Sequence, residues 1–180
     1  MRTVTYGAAC SLDGFIAGVD GAVDWLHFSR DAQQVMADYW KTIDTILMGR
    51  RTFDEAVKRN EGKGGGGGGG FPGVSTYLFS RTLATSPDPS VGLVRDDAVG
   101  FVRDLKNQPG KGICVMGGGD LASALLEGGV VDEVGVNIHP VVLGGGTPLF
   151  RSFDRRIPLE LAECRTLEGG CVYATYRVRN

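Results

Sequence analysis

Residues Ile113 to Leu126 read ICVMGGGDLASALL, and the fold turns on how that stretch divides. Ile113 to Met116 is an apolar run of strand length, ended by Gly117, Gly118 and Gly119, after which Leu121, Ala124 and Leu125 recur at helical spacing. A buried strand passing through bare backbone into a helix is a unit of open α/β sheets, which take ligands beyond the carboxyl ends of their strands. The glycines remove side chains where the helix begins, so a pyrophosphate-like anion can approach its free N–H groups. A tight turn with Asp120 as N-cap explains the same residues without a ligand. Gly117, Gly119 and Ala122 also satisfy GxGxxG/A spacing, but a Rossmann unit wants an acidic residue at the end of the next strand. Asp132 and Glu133 precede that strand instead.

Outward from this stretch the pattern repeats. Val4, Tyr6, Ala8 and Cys10 share one face of a first strand, which Gly14, Gly18 and Gly21 break. From Asp31, a helical stripe runs through Val35, Met36, Tyr39, Trp40 and Ile43, and Thr45 to Met48 follows as a buried strand. Arg50 to Val57 is helical, with Phe53, Ala56 and Val57 inward, before a polar glycine-dominated stretch from Asn60 to Gly70. Its seven consecutive glycines, Gly64 to Gly70, predict a mobile surface loop within one domain. Thr76 to Phe79 and Val91 to Val94 are strands, Ala98 to Leu105 a second amphipathic helix, and Val134 toward Val142 another buried strand. Leu159 to Leu167 and Cys171 to Val178 alternate around a Glu168, Gly169, Gly170 turn, as an antiparallel hairpin. The expectation is a single α/β domain over 1–180, with a mostly parallel central sheet, flanking helices and a C-terminal antiparallel hairpin.

Composition narrows the function. A chain of 180 residues suits one core, and a net charge of −2 without a Lys/Arg cluster gives no footprint for nucleic acid or anionic lipid. The amino terminus alternates like a strand and no apolar run approaches membrane-spanning length, so we expect a cytoplasmic protein without an export signal. Cys10, Cys114, Cys164 and Cys171 lack metal-site spacing and read as buried reduced thiols; with His27 and His139 the only histidines, no metal site is expected.

Two further junctions resemble the glycine turn in kind. At Gly49, Arg50, Arg51, Thr52, Phe53 a strand gives way to a helix amino terminus, where guanidinium groups and the Thr52 hydroxyl suit a phosphate. At Ser80, Arg81, Thr82 a polar pair leaves an apolar strand, again suited to a phosphate monoester. Each is equally an ordinary strand end when taken alone.

Taken in order, SLDGFIAG (Ser11 to Gly18), Trp25, GRRTF (Gly49 to Phe53), LFSRT (Leu78 to Thr82), VMGGGDLASALL (Val115 to Leu126) and LGGGTPLF (Leu143 to Phe150) resemble one family. The chain is similar to the dihydrofolate reductase superfamily, in particular the group like the reductase domain of riboflavin biosynthesis. The resemblance implies a dihydrofolate-reductase-like fold and an NADPH cofactor. It assigns Gly49, Arg50, Thr52, Ser80 and Arg81 to the adenosine 2′-phosphate end, and Gly117, Gly118, Gly119, Asp120 and Leu121 to the pyrophosphate. Ala9, Ile16 and Thr147 resemble positions at the nicotinamide end, and Asp13 to Trp25 the flexible segment closing over the cofactor.

Two departures matter. True dihydrofolate reductases carry a carboxylate early in the first helix; Asp31 is the nearest candidate for a catalytic acid here, although it also suits the helix dipole. Riboflavin-pathway reductases carry an acidic residue just before the glycine turn, where this chain has Met116, and the deaminase half of the bifunctional enzymes is absent. His139 is a general acid only if it faces the cleft. The implied function is NADPH-dependent hydride transfer to a small planar C=N or C=O substrate, pyrimidine- or pteridine-like. The rivals are a genuine dihydrofolate reductase and a non-catalytic NADPH sensor. The partners expected are that substrate and a second copy in a homodimer, with neither nucleic acid nor membrane.

Overall fold

The computed structural model describes residues 1–61 and 73–179, and the tract Gly64 to Gly70 lies outside them. The chain order is β1 (Val4–Ser11), β2 (Phe15–Ala17), α1 (Arg30–Thr42), β3 (Ile43–Gly49), α2 (Arg50–Glu61), β4 (Ser75–Phe79) and β5 (Val91–Val94). Then come α3 (Ala98–Asn107), β6 (Gly112–Met116), α4 (Gly119–Glu127), β7 (Glu133–His139), β8 (Thr147–Pro148), β9 (Leu159–Thr166) and β10 (Val172–Val178). Eight strands form one sheet in the order β5-β4-β3-β6-β1-β7-β10-β9, parallel except at β10 and β9; β2 and β8 pair separately.

The two sheet faces are covered differently. Register sets Leu47, Val115, Tyr6 and Val134 in one row, and α3 and α4 close over it with Val102, Leu105, Leu121, Ala122, Leu125 and Leu126. The opposite row, with Ile46 and Cys114, meets Tyr39 and Trp40 of α1. Phe53, 2% exposed, anchors α2 on Leu78 and Val91; burying one such side chain contributes about 1.5–3 kcal/mol. Buried Lys106 of α3 bonds both carboxylate oxygens of Asp132 at 2.7 Å, and Asp132 in turn accepts the Val4 N–H, tying α3 to the head of β1.

Several local expectations are corrected. Ile43 opens β3 rather than ending α1, because it belongs to the buried core row beside Ile46. Helix α2 runs on to Glu61, through residues read as loop, and β7 stops at His139 instead of reaching Val142. Ala124 is exposed, since the covered face of α4 follows Leu121, Ala122, Leu125 and Leu126. Asp120 is not the N-cap; Gly118 is. Cys164 is exposed while the other three thiols are buried, because all eight residues of the edge strand β9 are exposed. The pairing of β9 with β10 slips at Ala162, a bulge that keeps Leu159, Leu161 and Cys164 on one face despite their broken alternation. The Glu168 to Gly170 turn is a single 3-10 turn. Among the described residues no helix is long and apolar enough to cross a membrane.

Candidate functional site

Strand register brings the three junctions together. In the adjacent parallel strands β4, β3 and β6, Gly49 stands opposite Phe79 and Met48 opposite Met116. Ser80 and Arg81, Arg50, and Gly117 therefore leave the sheet side by side at its carboxyl edge. Gly7 pairs with Met116, so the rest of β1, including half-buried Ala9, projects past β6 at the same edge.

The glycine turn is built by its neighbours. A Cβ on Gly117 would stand 2.9 Å from Thr52 Oγ1, and one on Gly119 2.9 Å from the Pro148 carbonyl oxygen. Gly117 and Gly118 are both left-handed, with φ of 57° and 71°, but Gly118 stands in more open space: its missing Cβ would meet only Thr52 Oγ1, at 3.4 Å. As N-cap it offers no side-chain bond to the first turn of α4, so the N–H groups there are free of a side-chain cap. Asp120 instead pairs with Arg151 Nε at 2.8 Å, and buried Leu121 packs beneath Gly49.

Electrostatics point the same way. The first turn of α2 holds Arg50 and Arg51 and no acid, which sets cations at the positive end of a helix dipole. Arg50 Nε is shared by the Asp54 carboxylate at 2.7 and 2.8 Å, and Arg81 is exposed. Ser80 Oγ accepts the Leu83 N–H at 3.3 Å and touches Thr82 Oγ1. Exposed Arg95, passed over in the sequence, follows β5, whose last residue Val94 pairs with Phe79 and takes the Ser80 N–H. The signal available was a cation directly after an apolar strand. N–H groups without a side-chain cap, bare backbone at Gly118 and the cations Arg50, Arg51 and Arg81 at the same edge are groups suited to a phosphate-bearing ligand.

At the other end of the edge, two motifs become one structure. Phe15 and Ala17 of β2 pair with Pro148 and Thr147 of β8, the Leu149 N–H donates to the Gly14 carbonyl at 2.8 Å, and Tyr6 Oη donates to the Leu149 carbonyl at 2.9 Å. The Asp13 carboxylate accepts the Leu143 and Gly144 N–H groups at 3.1 and 2.8 Å and the Ser11 hydroxyl at 2.6 Å. Those bonds, the Ser11 hydroxyl foremost, hold Asp13 below the usual carboxylate range. Partly buried Ile16 packs on the core between them. Trp25 Nε1 donates to the Ala22 carbonyl at 3.3 Å, and its ring meets His139 edge-on at 5.4 Å.

Asp31 stands apart from the glycine turn. Its carboxylate accepts the Ser29 hydroxyl, the Ala32 N–H at 2.8 Å and the Glu168 N–H at 2.8 Å, bonds that lower its pKa and keep it ionised. This arrangement favours the helix-end role. Around His139, buried to 1% exposure, stand Cys171, Asn137, Trp25 and the His27 backbone, a cluster no motif announced.

Residues 2–173 match the family described as the RibD C-terminal domain. The chain is 36% identical to the uncharacterized protein YyaP of Bacillus subtilis (strain 168), covering 97% of this chain and 94% of that one. Its fold is similar to a putative riboflavin biosynthesis protein from Shewanella sp. PV-4, with a TM-score of 0.83, 23% identity, and 99% and 100% of the two chains covered. It is also similar to the Thermotoga maritima diaminohydroxyphosphoribosylaminopyrimidine deaminase/5-amino-6-(5-phosphoribosylamino)uracil reductase (TM-score 0.72, 17% identity, 99% of this chain but 57% of that one). Dihydrofolate reductase from Enterococcus faecalis, complexed with NADP(H), shares the fold at a TM-score of 0.68 and 16% identity, over 99% and 97% of the chains. With the match running through nearly its whole length, this chain belongs to the RibD C-terminal domain family of reductase-like proteins and has a dihydrofolate-reductase-like fold.

Proposed function

We propose that the protein is an NADPH-dependent reductase acting on a planar C=N or C=O group of a small pyrimidine- or pteridine-like compound. The observation that carries this reading is the alignment of Ser80–Arg81, Arg50–Thr52 and the Gly117–Gly119 turn on adjacent strand ends. In this reading Arg50, Arg81 and Ser80 hold the 2′-phosphate, with Gly49 and Thr52 shaping the strand end, while the uncapped start of α4 takes the pyrophosphate between Gly118 and Leu121. Ala9, Ile16 and Thr147 lie toward the nicotinamide end, and residues 13–25 exclude water from it. The bound cofactor supplies the hydride, and the chain's task is orientation.

Asp31, engaged and ionised, does not favour a genuine dihydrofolate reductase, and the sensor reading is separated by turnover. Calorimetric titration with NADPH and NADH should show the first binding more tightly; equal affinities would remove the 2′-phosphate assignment. Steady NADPH oxidation with a panel of pterins, aldehydes and imines should follow for an enzyme, and its complete absence would leave a binding module.

We propose also that two chains pair. Leu159 and Leu161 are 43% and 54% exposed beside a cavity of about 220 Å³ lined by Ile138, Leu149, Phe150 and Tyr176, an apolar face suited to a second copy. Sedimentation showing a monomer at all concentrations would overturn this.

A further inference from the structure

His139 makes more contacts with residues 13–28 than a strand-end residue needs. It closes β7, 1% exposed, opposite Ser11 of β1. Its Nδ1 lies 3.4 Å from the His27 backbone nitrogen and 3.4 Å from Cys171 Sγ; its Nε2 lies 3.3 Å from the Asn137 side-chain nitrogen. The Trp25 ring stands edge-on at 5.4 Å.

These partners fix the ring's protonation state by elimination. A backbone N–H only donates, so Nδ1 must accept, and in a neutral imidazole Nε2 then carries the proton. Nε2–H needs an acceptor, and Asn137 Oδ1 is buried without a hydrogen-bond partner. A half-turn of the Asn137 amide sets Oδ1 against Nε2 and satisfies both groups. The neutral ring therefore meets a complete set of partners. A protonated ring would direct Nδ1–H at the His27 N–H, donor against donor, with only the weakly accepting Cys171 sulfur beside it.

The titratable groups around the ring do not favour a charge on it. The His27 imidazole sits over the turn after β9, where a Cβ on Gly169 would stand 2.8 Å from its Cδ2. Cys171, just before β10, is a thiol whose pKa burial raises, with Asp31 of α1 adding to the shift. Asp13 is occupied with Ser11, Leu143 and Gly144, and Asp24 is exposed in the segment itself. Burial, and then the charge of His27, hold His139 below the ordinary histidine range.

We propose that His139 is the positioning residue that latches residues 13–28: its neutral imidazole accepts the His27 backbone N–H and supports the edge of Trp25, and protonation of the ring releases the segment. The same segment carries Ile16 and, through Asp13, the Leu143–Gly146 strap, so its release loosens one wall of the cleft. The latch is a property of the chain without ligand and stands whatever the cleft binds.

The test uses the full chain with Trp40→Phe, which leaves Trp25 the only tryptophan. Trp25 emission, exchange of the His27 amide and the His139 ring resonances are followed by fluorescence and NMR from about pH 8 to pH 5. The three should move together at one midpoint below that of an ordinary histidine, and His27 exchange should gain at least about tenfold over the intrinsic pH effect. His27→Ala keeps the backbone N–H and should keep the transition. His139→Gln, whose Oε1 can accept that N–H, should abolish it. The proposal is overturned if the transition survives His139→Gln, if it disappears in His27→Ala, or if the His139 ring titrates while Trp25 and the His27 amide stay unmoved. The last comparison holds in the Trp40→Phe chain even if the glutamine variant does not fold.

Discussion

The two ends of the sheet's carboxyl edge are made in different ways. At β4, β3 and β6 every proposed contact lies within five residues of a strand end: Ser80 and Arg81, Arg50 and Thr52, Gly117 to Leu121. At β1, β7 and β10 the wall is composite. Asp13 reaches Leu143 across 130 residues, His27 reaches His139 across 112 and Asp31 reaches Glu168 across 137. The first end is rigid because sheet register holds it; the second is joined by a few bonds, several to titratable groups. The first should therefore govern cofactor affinity and the second closure and pH response.

The largest effect belongs to the first end. Gly118→Val puts a branched side chain at a φ of 71° on the open side of the turn, so NADPH binding should fall by more than about 100-fold, with a stability loss of about 1–3 kcal/mol. Calorimetry paired with circular dichroism checks both. A folded variant that binds like the parent would show the glycine turn to be only a turn.

Next in size is Arg81→Ala. Loss of a charge-assisted phosphate contact of about 1.5–3 kcal/mol should weaken NADPH roughly tenfold to 150-fold and leave NADH nearly unchanged. Arg95→Ala sharpens the same point. If it also narrows the gap between the cofactors, the phosphate end extends to β5; if it does not, Arg95 is a solvated strand-end cation.

The composite end should reveal itself through pH. His139 is depressed in the fold, so the unfolded chain binds more protons just below the ordinary histidine pKa, and its contribution to stability shrinks as pH falls there. Asp13 and Asp31 are depressed carboxylates whose contributions are full above the unfolded carboxylate pKa and lost as pH falls through their folded values. Urea melts at stepped pH should thus show loss in two stages. His139→Gln should remove the first stage and Asp13→Asn part of the second; a single stage unaffected by His139→Gln would contradict this.

The smallest effect is expected of Asp120→Ala. With the cap at Gly118, the substitution removes only a first-turn charge and an exposed pair with Arg151, worth under about 1 kcal/mol by thermal melting. A larger loss would mean that Asp120 braces the turn and with it the cradle.

The sequence by itself determined the elements of the proposed phosphate end. Apolar strands stopping at Gly49, Ser80 and Gly117 are local patterns, and their order along the chain was enough to expect a mostly parallel α/β sheet, while the dihydrofolate-reductase-like fold was implied by the resemblance of the motifs to that family. It misplaced residues where burial depends on the partner element: Ala124 faces solvent and Cys164 sits on an exposed edge, because helical or alternating spacing says which residues share a face and not whether that face is covered. Only the tertiary structure decided that three distant strand ends stand side by side, since register depends on long-range pairing. It also decided that Asp13 binds the strap after β7, that Asp31 holds the turn after β9, and that His139 meets Trp25 and His27. All of those contacts cross more than a hundred residues, and apart from the Trp25 ring contact they join side chains to backbone N–H groups, which have no letter of their own in a sequence.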